Sequence, residues 1–130
     1  MWYKTPVTKV FGLTAGPYGR MPASAGSASE PQMIERYVFV KLKSEHATPA
    51  GQAEVRARSE ALAAIAGVRD VVIGTPADAG AAKAWDLSLI VRFDSLADVK
   101  RYLADPAHLS YYEGFLEPRL QVIKAWNFEV

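Results

Sequence analysis

The sequence holds no cysteine and only two histidines, His46 and His108, in 130 residues. Without cysteine there are no disulfides, thiolate nucleophiles, zinc–thiolate sites or iron–sulfur clusters, and the composition fits a reducing, cytoplasmic setting. No second histidine or carboxylate cluster stands at metal-ligand spacing, so no metal or cofactor is expected. An excess of one charge is also missing. With 15 basic and 14 acidic residues the net charge is +1, which supplies no phosphate-binding field, and nucleic acid is not an expected partner. No apolar run approaches the roughly 20 residues of a membrane span, so a membrane is not expected either. Gly74 and Gly80 do not form a phosphate-cradling turn before a helix. What remains is a chain that is half apolar and long enough for one domain with a core of its own.

Residues 1–32 read as an N-terminal arm or extension. Short apolar pieces (Trp2-Tyr3, Val10-Phe11) are interrupted by Pro6, Gly12, Gly16, Pro17 and Gly19, and residues 22–31 are mostly Ala, Ser, Gly and Pro. Lys4, Pro6 and Lys9 break any continuous secretory h-region. Three of the 15 basic residues and one of the 14 acidic residues lie in this arm, so residues 33–130 carry one net negative charge. The domain is expected over that second stretch.

Within it, residues 34–43 place Ile34, Val38, Val40 and Leu42 on one side of a strand and Tyr37 and Phe39 on the other. Thr48-Pro49 predicts a helix start, with Thr as N-cap and Pro at the first position, running to about Ala66 with an Glu54–Arg58 pair. Gly67 is the expected left-handed residue beyond its end. A second strand is expected over 68–75, a mobile Gly/Ala loop over 76–83, and a third strand over 86–93. Ser95 with Asp98 predicts a helix start, and Asp105-Pro106 another, the latter helix ending before Pro118. Residues 122–130 close as a strand. The order β-α-β-β-α-β predicts an α+β, ferredoxin-like fold with an antiparallel sheet and helices on one face.

That plan leaves apolar side chains unaccounted for. Helices covering Val38, Val40, Leu89 and Val91 cannot also cover Tyr37, Phe39 and Ile90, so a second greasy face must meet something. A second copy packed face to face, a homodimer, is the simplest partner, and Trp85 and Trp126 are candidate anchors.

The first strand (Arg36-Tyr37-Val38-Phe39-Val40-Lys41-Leu42-Lys43), the helix start from Asp94 to Asp98, and above all Tyr102-Leu103-Ala104-Asp105-Pro106-Ala107-His108 resemble the stress-responsive α/β-barrel domain (Dabb) family. The likeness covers about residues 34–128. It implies a dimeric α/β barrel in which two ferredoxin-like subunits close their sheets together. It also implies a family mostly without assigned chemistry, including abundant heat-stable plant oligomers and a polyketide cyclase that needs no cofactor or metal. Carried over from the cyclase, the catalytic His falls on His108 and a pocket Tyr on Tyr102. Arg36 stands where that enzyme has a second His, and Arg58 where it has a helix Tyr.

His108 falls third in a helix begun by Asp105, where the helix dipole favours a neutral imidazole that can act as a general base. Tyr102 is its candidate hydrogen-bond donor and Arg36 its anion partner; an Arg36–Arg58 pair suits an acid or enolate better than a neutral chain. Val38, Val40, Leu89, Val91, Tyr111, Tyr112 and Phe115, with Trp126, are the candidate walls of a per-subunit pocket for a small apolar or aromatic molecule. The competing expectation is structural: His108 hydrogen-bonds its own capping turn, Tyr102 packs beneath it, and the aromatics are plain core. His46 is expected on the surface.

Overall fold

A computed structural model of the protein describes residues 33–130. The expected N-terminal arm, 1–32, lies outside the described residues. Four strands, β1 (Ile34–Leu42), β2 (Asp70–Gly74), β3 (Leu87–Phe93) and β4 (Leu120–Glu129), form one sheet in the order β2-β3-β1-β4, every neighbouring pair antiparallel. The connections are α1 (Pro49–Glu60), α2 (Ala79–Ala84), α3 (Leu96–Ala104) and α4 (Pro106–Leu109), the last continuing as a π turn, Ser110–Leu116. The expected ferredoxin-like α+β plan holds.

Strict alternation builds the sheet. On β3, Leu87, Leu89, Val91 and Phe93 are buried while Ser88, Ile90 and Arg92 between them stay partly exposed. Register aligns Val38 with Leu89 and Ala125, and Val40 with Leu87 and Ile123, so the covered side of three strands is continuous. Val55 and Leu62, Val99 and Tyr102, and Phe115 and Leu116 bring the helical segments onto this side. The opposite side carries Tyr37, Phe39, Ile90 and Trp126, and Phe128 and Val72 remain 52% and 44% exposed there.

The predicted caps form as their chemistry requires. Thr48, Ser95 and Asp105 each accept a hydrogen bond from a backbone N–H in the first turn of the helix that follows, at 3.0, 3.2 and 2.8 Å. Gly67 takes φ +92°, the left-handed conformation in which a side chain is strained. Gly51 has a different reason to be glycine: a Cβ there would overlap the carbonyl oxygen of His46, itself only partly exposed. Asp86 is a buried latch. Its two oxygens accept from the Leu42 backbone N–H (2.8 Å) and the Gln52 amide (3.2 Å), tying α1 to the paired ends of β1 and β3.

Four expectations need correction. The helix from Pro49 leaves α geometry at Glu60 and finishes as a 3₁₀ turn over Ala61–Ala64. The expected loop over 76–83 contains α2, capped by Asp78, whose side chain accepts from Ala81 N–H; it buries no residue, so it leaves no apolar stripe to read. Glu54 faces Arg119 at 3.9 Å rather than Arg58, which instead lies 4.2 Å over the Phe115 ring. Trp126 sits beside Phe39, 6.3 Å between rings, on the side away from the helices. No helix among the described residues is long and apolar enough to cross a membrane.

Candidate functional site

Between the sheet and the helical layer lies a cavity of about 300 Å³. Its floor is Arg36 and Val38 of β1, Leu89 of β3, and Ile123 and Ala125 of β4. Its walls are Leu62 of the 3₁₀ turn after α1, Tyr102 and Leu103 of α3, His108 of α4, and Tyr111, Tyr112 and Leu116 of the π turn. The three candidate reacting groups, Arg36, Tyr102 and His108, therefore share one space. Of the expected wall residues Val38, Leu89, Tyr111 and Tyr112 line it. Val40 and Val91, both completely buried, and Phe115 lie in the packed core instead.

Local geometry explains how His108 gets there. The Asp105 side chain and Pro106 fix the start of α4, and His108 follows at its third position with its ring 4.5 Å from the Tyr102 ring. Tyr102 is held in turn against Phe93, edge to face at 5.0 Å. On the other flank the His108 plane is parallel to Tyr112 within 4°, with centroids 6.4 Å apart. Beyond α4 the wider π turn carries Tyr111 and Tyr112 past the cavity in succession, and such turns recur at functional sites. Tyr111 is anchored by a 2.7 Å hydrogen bond between its hydroxyl and buried Ser59 of α1.

The electrostatics of the cavity are one-sided. His108 titrates below the ordinary histidine range, chiefly because burial disfavours its cation; the Leu103 backbone and Asp105 oppose this, and the Arg36 charge reinforces it. Burial thus favours the neutral imidazole. Its Nδ1 is buried and makes no hydrogen bond of normal geometry among the described residues. Burial also raises the Tyr102 phenol well above its usual range, so it remains a donor. Arg36 is half-buried, with desolvation lowering its pKa. Its only hydrogen bond among the described residues runs from Nη1 to Asn127 Oδ1, 2.9 Å. Among the described residues no carboxylate lines the cavity.

Comparison with known proteins places this architecture. The family model of the stress responsive A/B barrel domain matches residues 34–129. The chain belongs to the Dabb family. A Dabb-family protein of ferredoxin-like fold from Mesorhizobium loti is 21% identical, with 75% of this chain and 95% of that one aligned at a TM-score of 0.62. A dimeric ferredoxin-like protein of unknown function from Thermobifida fusca is 21% identical over 78% and 93% of the two chains, TM-score 0.64. The hydroxynitrile lyase of Passiflora edulis is 21% identical over 77% and 94%, TM-score 0.65. No curated protein matches in a sequence comparison.

In this Dabb domain the residues that sequence reading missed are Leu62, Leu103, Leu116, Ile123 and Ala125. Two of them were readable. Ile123 and Ala125 alternate with Lys124 and Trp126, so period two already separates the cavity floor from the far side of β4. The leucines carry no such mark, because helix and turn residues facing core and cavity look alike. Arg58, paired with Arg36 in the sequence reading, is exposed over Phe115 and does not line the cavity. Among the described residues no group of His, Asp and Glu gathers as a metal site.

Proposed function

We propose that this Dabb domain is a cytoplasmic homodimer that binds a small apolar or aromatic molecule in the cavity of each subunit. The observation that carries the binding reading is the cavity itself: about 300 Å³, between sheet and helices, walled by three tyrosines and a neutral histidine over an aliphatic floor. Preformed apolar clefts of this size with a few convergent polar groups are the usual form of small-molecule sites. Support for the dimer comes from the uncovered side of the sheet, where Phe128, Val72 and Val122 stay 52%, 44% and 39% exposed beside Tyr37 and Phe39, and from the dimeric assembly of the Thermobifida fusca neighbour. The test is titration with 2-naphthylmethanol, followed by tyrosine fluorescence, together with mass spectrometry of molecules that co-purify. Saturable binding is expected in the wild type and its loss in a folded Leu89→Trp variant, whose indole fills the cavity. Wild type that neither binds the probe nor co-purifies with a ligand, or unchanged binding in Leu89→Trp, overturns the reading.

A second reading, a cofactor-independent enzyme of cyclase, isomerase or monooxygenase type, is favoured by one specific observation: Arg36, Tyr102 and His108 line the same cavity. There His108 takes a proton from an activated carbon, the Tyr102 hydroxyl donates to the substrate carbonyl oxygen, and Arg36 stabilises the enolate that forms. The hydroxynitrile lyase among the neighbours is an enzyme built on this fold. Deuterium exchange at the α-carbon of phenylacetone, followed by NMR, is expected to be accelerated by the wild type and slowed about 100-fold or more in His108→Gln. Exchange no faster than in buffer removes this reading and leaves binding alone.

A further inference from the structure

Two arginines of the sheet are treated in opposite ways. Arg92, on the uncovered side, is paired twice, with Glu35 at 2.9 Å and Asp70 at 3.2 Å. Arg36, on the helix-covered side, has no ion pair among the described residues although it is half-buried; its partner is the neutral Asn127 amide, 2.9 Å away. A cation withdrawn from water without a counter-charge costs stability, and a guanidinium does not escape by losing its proton. Among the described residues the Arg36 charge is thus left unneutralised, beside a cavity whose other lining groups are neutral or apolar.

We propose that the ligand of this cavity is an anion, a planar apolar body ending in a carboxylate or enolate that pairs with the Arg36 guanidinium. The inference rests on the binding reading above and adds the ligand's charge and orientation. Asn127 is exposed, so Arg36 stands at the solvent-facing end of the cavity, and the aliphatic floor of Val38, Leu89, Ile123 and Ala125 receives the apolar body. A carboxylate there accepts two parallel N–H bonds from the guanidinium fork, a geometry a lysine would not offer. His108, neutral, presents no competing cation, and among the described residues no carboxylate on the wall repels the ligand. Arg58 takes no part, being engaged over Phe115.

The test compares two probes of one shape, 2-naphthoate and 2-naphthylmethanol, by isothermal titration calorimetry at pH 7.5. The wild type is expected to bind the carboxylate at least about tenfold tighter than the alcohol, the range of a charge-assisted hydrogen bond. Asn127→Asp sets a carboxylate against Arg36 from within the chain; it is expected to bring the ratio near one while leaving affinity for the alcohol unchanged. Arg36→Met is likewise expected to bring the ratio of the two affinities near one, and the exposed Asn127 site keeps the test valid if Arg36→Met does not fold. Equal binding of the two probes by the wild type, or a preference that survives both substitutions, overturns the charge assignment and leaves the apolar site standing. Failure of the wild type to bind either probe overturns both readings.

Discussion

On the helix side of the sheet Val40, Val91 and Phe93 are completely buried, whereas on the other side Phe128, Val72 and Val122 keep between 39% and 52% of their surface. Both sides are rich in large apolar residues, and they come from the same strands in alternation. They differ in what the single chain can lay over them. Two βα units supply helices to one face only, so Leu89 and its neighbours are buried while Tyr37, Phe39, Ile90 and Trp126 stay partly exposed. Polar groups divide in the same way. On the bare side Tyr37 donates to Glu35 at 2.6 Å and Glu35 holds Arg92, whereas the covered side leaves Arg36 and His108 incompletely paired among the described residues. The side proposed to meet a second copy holds these groups in internal pairs. The side that encloses a cavity does not.

The sharpest way to break this contrast is to substitute one large apolar residue of β3 on each side of the sheet. Ile90→Glu, on the bare side, is expected to convert a micromolar dimer into a folded monomer in light scattering, since an unpaired charge in an interface costs about 3–5 kcal/mol. A wild type that is monomeric under the same conditions would sink the dimer itself. Phe93→Ala, on the sealed side, is expected to act on folding instead, lowering stability by about 3–5 kcal/mol in denaturant melts without altering assembly. A loss shared equally between folding and association would erase the distinction between the two faces. Ser59→Ala removes the buried partner of Tyr111 and is expected to cost about 1–3 kcal/mol, with weaker probe binding because the tyrosine wall loosens.

The smallest effect is the response to pH. His108 titrates below its ordinary value in the native state, so when pH falls through about 6.5 the unfolded chain takes up a proton that the folded one refuses. Stability is therefore full above that pH and declines on acidification. The slope stays under the one-proton ceiling of about 1.4 kcal/mol per pH unit, because the half-buried ring is partly screened. Melts of wild type and His108→Phe between pH 7.5 and 5 check this; equal slopes would mean that His108 is not the group responsible. Below pH 4.5 a different group takes over. The Tyr37 hydrogen bond and Arg92 hold the Glu35 carboxyl below its usual range, so stability is lost again as Glu35 protonates.

How far the sequence speaks differs between the two layers as well. The strands were legible because alternation has a period of two and a one-residue error would turn every side chain over. The caps at Thr48, Ser95 and Asp105 were legible because a short polar oxygen before a helix has one evident use. The family motif around Tyr102 and His108 located the cavity wall, and both residues line the same cavity as Arg36 on its floor. The helical layer was harder. α2 is Ala-rich and buries nothing, the end of α1 tightens into 3₁₀ geometry, and the turn after Leu109 widens into a π turn, none of which leaves a periodic trace. The Arg58 position shows the same limit. Its charge is plain in the sequence, but its stacking on Phe115 depends on where the π turn delivers that ring.

That widened turn has an evolutionary corollary. Ser110–Leu116 winds more loosely than an α-helix, so deleting a single residue there would let the chain close up in ordinary α geometry and swing Tyr111 or Tyr112 away from its present direction. Length changes usually survive only in surface loops. Here one sits directly in the wall of a cavity, anchored beyond by Phe115 and Leu116, where gain or loss of one residue would recut the chamber while the sheet beneath it stayed intact.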